Sequence, residues 1–194
     1  LTENRMTVVE LLLASGKVQV GGTGLATEGE LQRSGEHLDA NGDAELLEAL
    51  RIAVLCNNAN LNITSSAAAT ATGDPTEVAL LVAGAKAGLT RDELLRDSPL
   101  VRELAFDSDT KRMATLHEQG GAIVAAVKGA PESVLESCIS IRTPDGPRTL
   151  REDERTEWRH AADKMAAAGQ RVLALATATV ADANAFDFED LVLI

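Results

Sequence analysis

Apolar and polar positions along the chain change period several times, and each change marks an element. The opening LTENRMTVVELLLASGKVQVGG reads as two strands joined at Ser15-Gly16, a dipeptide that punctuates chains. Residues 21–42, rich in Gly, Glu and Asp, keep no period and read as a surface loop. Over 43–57, Leu46, Leu47, Leu50, Ala53 and Val54 recur at helical spacing. The small-residue run SSAAATAT (65–72) reads as a connector. In GDPTEVALLVAGAKAG, Asp74 suits the N-cap, Pro75 the first helical position and Glu77 the third, a capping-box arrangement. Thr90 with Glu93 opens a short helix over 90–97.

Two strands, 100–106 and 112–118, then flank a DSDT turn, and Gln119-Gly120-Gly121 leads into a third at 122–128. GAPESVLESC places Pro131 early in a short helix, and TPDGP (143–147) is a turn. RTEWRHAADKMAAAG is an amphipathic helix stopped by Gly169. RVLALATATV (171–180) is a strand of the buried kind, and LVLI closes with another. Helices alternating with hairpins predict an α+β domain, its sheet covered by helices. One domain over 1–194 is expected, with no internal repeat.

Composition narrows the function. Aromatic residues make up 2% of the chain, with no tyrosine, so any exposed ring stands out. A net charge of −12 argues against nucleic acid or an anionic membrane surface as partner, while leaving room for a small anion held by two or three cations. Cys56 and Cys138 form no CxxC pair, and His37, His117 and His160 lie apart, so neither a metal site nor a disulfide framework is predicted. Phosphate-loop, dinucleotide-fold and nucleophile-elbow motifs are missing. No run reaches the roughly 18 apolar residues of a membrane helix and no signal segment opens the chain, which reads as soluble.

Four segments remain: GDPTE (73–77), FDSDTKRM (106–113), KGAPE (128–132) and RVLALA (171–176). Singly each has a plain reading. Glu77 caps a helix, Phe106 fills a core, Lys128 ends a strand and Arg171 is solvated. Together, in this order, they resemble the nucleotide-binding (N) domain of P-type cation-transporting ATPases. The resemblance extends along the chain. LTENRMTV is similar to the sequence just after the phosphorylated DKTGT motif, and FEDLVLI to the strand returning toward the phosphorylation domain. Segments 1–7 and 190–194 are therefore expected to be hinges toward that domain. Among subfamilies the match is to type II pumps of the calcium-transporting kind, in bacterial form.

The resemblance implies a twisted, mainly antiparallel sheet flanked by helices and a site for ATP. Phe106 is the stacking position for adenine, a role for which a ring needs no detailed hydrogen bonding. Lys111 lies near the adenine, Lys128 deep in the pocket with the flexible Gly129 behind it, and Arg171 reaches the phosphates. Glu77 is a candidate acceptor for the adenine amino group or a partner for Lys128; Asp74 and Met113 lie close by. Ser108 departs from the pattern, since animal calcium pumps carry arginine there, and modest affinity is expected. Mg²⁺ is implied mainly on the phosphorylation domain. With that domain and the actuator domain as partners in one polypeptide, the chain is expected to be a cytoplasmic part of a membrane pump, inactive alone and without direct membrane contact. The alternative is a structural or interaction module of this fold that has lost nucleotide affinity.

Overall fold

The computed structural model describes residues 5–65 and 68–194. They group into two compact units, one ending at Arg96 and the other beginning at Asp97.

The first unit opens with β1 (Glu10–Leu13) and β2 (Gly16–Val20), the expected hairpin. The expected loop over 21–42 is partly sheet: β3 (Leu31–Arg33) pairs with β2, and β4 (Glu36–His37) pairs with β3. The Ser34-Gly35 turn between them has positive φ at both residues, the backbone twist of a tight hairpin. Helix α1 (Ala44–Leu55) starts at Asp43, whose carboxylate accepts the Leu46 N–H at 2.9 Å and pairs with Arg33 at 2.6 Å. Glu45 is buried, and its two oxygens accept the N–H groups of Ala14 and Ser15 at 2.8 and 3.3 Å, tying the β1–β2 turn to the helix.

Residues 65–72 also correct the connector reading. β5 (Asn60–Ser65) and β6 (Ala68–Thr72) form an antiparallel hairpin, with residues 66 and 67 outside the described set. Alternating Ala and Thr is compatible with a pleated ladder but carries no apolar period to reveal it. Helix α2 (Pro75–Lys86) packs on α1 at Gly84, where a Cβ would sit 2.3 Å from Val54 Cγ2. Any larger residue would push the two helices apart. α3 (Arg91–Asp97) follows.

The second unit is a seven-stranded sheet in the order β11-β10-β13-β12-β9-β8-β7. Its strands are β7 (Leu100–Asp107), β8 (Arg112–Gln119), β9 (Ala122–Gly129), β10 (Cys138–Thr143), β11 (Gly146–Thr149), β12 (Ala174–Val180) and β13 (Leu191–Leu193). Pairing is antiparallel except between β10 and β13. Helices α4 (Pro131–Ser137) and α5 (Glu152–Ala167) complete the unit, and α4 packs on β9, β12 and β13. Ala114, Leu116, Val127, Val134, Leu135, Ile141, Ala176 and Leu191 form its core, with Trp158 of α5 against them. α5 begins three residues earlier than the Arg155 start of the expected helix, because Glu154 accepts the Arg151 N–H in a capping box. The α+β class and the mainly antiparallel sheet with helices are as the sequence predicts.

Candidate functional site

GDPTE, in the first unit, adopts the expected helix start. Asp74 lies outside the helix, and one carboxylate oxygen accepts the N–H groups of Thr76 and Glu77 at 2.8 and 3.3 Å. Pro75 holds the first helical position, where no N–H is needed. Glu77, half-buried, accepts the Asn58 N–H at 3.1 Å, while the buried Asn57 amide donates to the Glu77 carbonyl at 2.9 Å. Glu77 is thus fixed from both its backbone and its side chain.

In the second unit the remaining segments meet at one end of the sheet. The β7–β8 register shifts between Leu104 and Asp107, which pair with Ala114 and Arg112. Two β7 residues, Ala105 and Phe106, therefore oppose Met113 alone. Such a bulge interrupts strand alternation and re-aims a side chain. Phe106 is 62% exposed in a chain with three phenylalanines, while Phe186 is buried and Phe188 packs beside it with ring centroids 5.0 Å apart. Of the two readings the sequence left open, the core reading of Phe106 is excluded by that exposure.

The turn after Phe106 is tightly specified. Asp107 accepts the N–H groups of Asp109 and Thr110 at 2.7 and 3.0 Å, and these bonds, Thr110's foremost, hold its carboxyl below the usual range. Lys111, with φ of 53°, donates its N–H to the Asp107 carbonyl at 2.7 Å and accepts the Ala130 N–H at 2.9 Å. Its ammonium lies 3.0 Å from Glu132. Glu132 is held below its usual pKa, first by a backbone hydrogen bond at the start of α4 and then by Lys111. KGAPE and FDSDTKRM are therefore stitched together by backbone and side chain alike.

Gly129 makes that approach possible: a Cβ there would lie 2.6 Å from the Lys111 carbonyl oxygen. Lys128 is 8% exposed on β9 and pairs across the ladder with Met113, itself buried. Ser108 is exposed on the turn, and Arg171 is exposed three residues before β12. The structure thus brings Phe106, Lys111, Met113, Lys128 and Gly129 to one region of the second unit. Arg112 escaped the sequence reading. It donates to the Ser137 hydroxyl at 2.7 Å and lies 4.7 Å over the Phe188 ring, bracing the start of β8. Its position beside Lys111 was a faint signal, but Phe188 is too distant in sequence to be matched with it.

The sequence matches the family described as P-type ATPase, cytoplasmic domain N, over residues 45–192. The chain belongs to that family. Among curated relatives of this domain N, the cation-transporting ATPase pma1 of Synechocystis is 38% identical over 185 residues, covering 93% of this chain and 20% of the relative. The probable cation-transporting ATPase F of Mycobacterium tuberculosis is 35% identical over 90% of this chain and 19% of its own length. Calcium-transporting ATPase 1 of Bacillus cereus is 34% identical, over 91% and 18% respectively. The chain thus spans about a fifth of the length of these relatives. Among its described residues, no helix is long and apolar enough to cross a membrane, and no group of His, Cys, Asp or Glu is placed to hold a metal ion.

Proposed function

We propose that this domain N binds ATP and holds it for phosphoryl transfer to an aspartate outside these residues, within a cation-transporting pump. One observation carries the reading: the Phe106 ring stands exposed at the head of a turn that is pinned to KGAPE. A free aromatic face beside a flexible ammonium suits a nucleobase, since stacking contributes about 1–3 kcal/mol per base in nucleic-acid-binding proteins.

Phe106 takes the adenine face, with Lys111 supplying positive charge near it. Lys128 presents a compact ammonium from the sheet, Gly129 lets the two segments close, and Met113 shapes the floor between them. Arg171 reaches the phosphate chain. For Glu77 and Asp74, in the first unit, the assignment rests on the GDPTE motif alone. Transfer is an in-line attack by the aspartate oxygen on the γ-phosphorus, with ADP leaving and an aspartyl-phosphate formed. Mg²⁺ is held mainly by the domain that carries the aspartate, and without that nucleophile these residues have no turnover of their own. Phosphorylation and actuator domains of one polypeptide are the proposed partners, at the cytoplasmic side of a bacterial plasma membrane. Calcium, named for the Bacillus cereus relative, is the cation the proposal carries.

Phe106→Ala separates binding from stability. The ring is 62% exposed, so its removal leaves the unfolding transition nearly unchanged. Loss of the platform weakens ATP binding by about 5- to 150-fold, the equivalent of about 1–3 kcal/mol. Calorimetric titration of both proteins, with and without Mg²⁺, gives the readout; little Mg²⁺ dependence is expected. Absence of saturable ATP binding in the parent chain would instead support the structural-module reading that Ser108 favours.

A further inference from the structure

Of the two cations in FDSDTKRM, one is committed and the other is free to exchange. Arg112 is fixed by the Ser137 hydroxyl and the Phe188 ring. Lys111 has its backbone pinned at both the N–H and the carbonyl, so only its side chain can move. Its ammonium meets the Glu132 carboxylate at 3.0 Å, and both side chains are 56% exposed. A pair so wet is readily exchanged. The same turn carries Asp107 and Asp109, so an incoming polyanion would meet a surface whose nearest mobile cation is already neutralised.

We infer that Glu132 tunes nucleotide affinity by competing for Lys111 with the nucleotide's phosphates, the α-phosphate being the one nearest the adenine end where Lys111 stands. In the free domain Glu132 holds the ammonium; a bound polyphosphate draws the ammonium away and leaves Glu132 with solvent and its backbone hydrogen bond at the start of α4. This rests on the ATP-binding reading and adds to it a residue that restrains binding. The site would then respond to the ligand's charge through one exchangeable contact. No bond is made or broken beyond the ion pair.

The test compares the full chain with Glu132→Gln, which keeps side-chain size and removes the charge. ATP, AMP and adenosine are titrated at low ionic strength and again in about 0.5 M salt, where exposed charges are largely screened. The expected result is ATP binding about two- to five-fold tighter in the variant, the scale of an exposed pair. The gain should be smaller for AMP, absent for adenosine and lost in high salt. A third protein, Lys111→Met with Glu132→Gln, is compared with Lys111→Met alone and should show little gain. Equal or weaker ATP binding in Glu132→Gln would overturn the inference. So would a gain that persists undiminished without Lys111, which would place the effect at long range. Saturable binding by the parent with no gain in the variant sinks only this inference. No saturation by any of the proteins sinks the ATP-binding reading as well.

Discussion

Replacing Gly129 with alanine adds one methyl group at the most crowded point between KGAPE and FDSDTKRM. The new carbon would meet the Lys111 carbonyl oxygen at 2.6 Å, Arg112 Cβ at 2.9 Å and Arg112 Cα at 3.0 Å. None of these atoms can be moved by side-chain rotation, so the start of β8 must retreat from β9. The Lys111 carbonyl also accepts the Ala130 N–H at 2.9 Å, and that bond lengthens with the same movement. Overpacking costs about 1–3 kcal/mol, and loss of a backbone hydrogen bond adds about 1 kcal/mol. The expected destabilisation is therefore about 2–4 kcal/mol, or about 4–16 °C in Tm at about 2–4 °C per kcal/mol for a chain of this size. Phe106 and Lys111 hang from the displaced turn, so ATP affinity should fall even at temperatures where the variant is fully folded. Urea unfolding gives the stability change, and ATP titration well below the new Tm gives the second effect. A stability change under about 0.5 kcal/mol would show that the turn gives way freely, and would refute the argument that Gly129 sets its position.

Three further outcomes are expected. Asp74→Ala removes the acceptor for the Thr76 and Glu77 N–H groups and should cost about 1 kcal/mol in urea unfolding, the usual worth of an N-cap. Glu154 is held down to about 2, first by its bonds with Arg148 and then by the Arg151 N–H. A depressed carboxyl contributes stability above its ordinary value of 4.5 and loses it as pH falls toward about 2. Urea midpoints should fall across that window, less steeply in Glu154→Gln and less steeply in high salt. Burial, outweighing nearby Arg155, pushes the Cys138 thiol up to about 12, and its Sγ lies 3.2 Å from the Val134 carbonyl. With Cys56 also buried, a thiol reagent at neutral pH should label neither cysteine in the folded chain and both after denaturation; rapid labelling of the native protein would contradict the packing.

Elements with strong local signals were legible. The helix over 43–57 shows through the spacing of Leu46, Leu50, Ala53 and Val54, Asp74 announces its helix through capping chemistry, and the strands around FDSDTKRM show through apolar runs and turn residues. β3 escaped because only Leu31 of its three residues is buried, so there is no period to read; the Ser34-Gly35 turn was the overlooked cue. The β5–β6 hairpin escaped because β6 lies within a run of small residues that carries no apolar period. In the candidate site, GDPTE and KGAPE were legible as motifs, and Phe106 is exposed, as a stacking role requires. The bulge that displays the ring, the grip of Lys111 on Ala130 and the Arg112–Phe188 contact depend on pairing across the sheet. No local pattern encodes them.

The position of β13 bears on the order in which the second unit can assemble. Residues 191–193 lie between β10 and β12, parallel to the first and antiparallel to the second, with Leu191 fully buried. Without them the sheet is two pieces, the β10–β11 hairpin and the block of β12, β9, β8 and β7. During synthesis from the N-terminus, β7, β8 and β9 can zip early through short turns, because contacts close in sequence form fast. The join to β10 waits for a triplet made about 50 residues after β10, a long-range closure of the slow kind. A nascent chain would thus hold its candidate site half-built, with Phe106 and Lys111 already in their turn, until β13 locks the sheet.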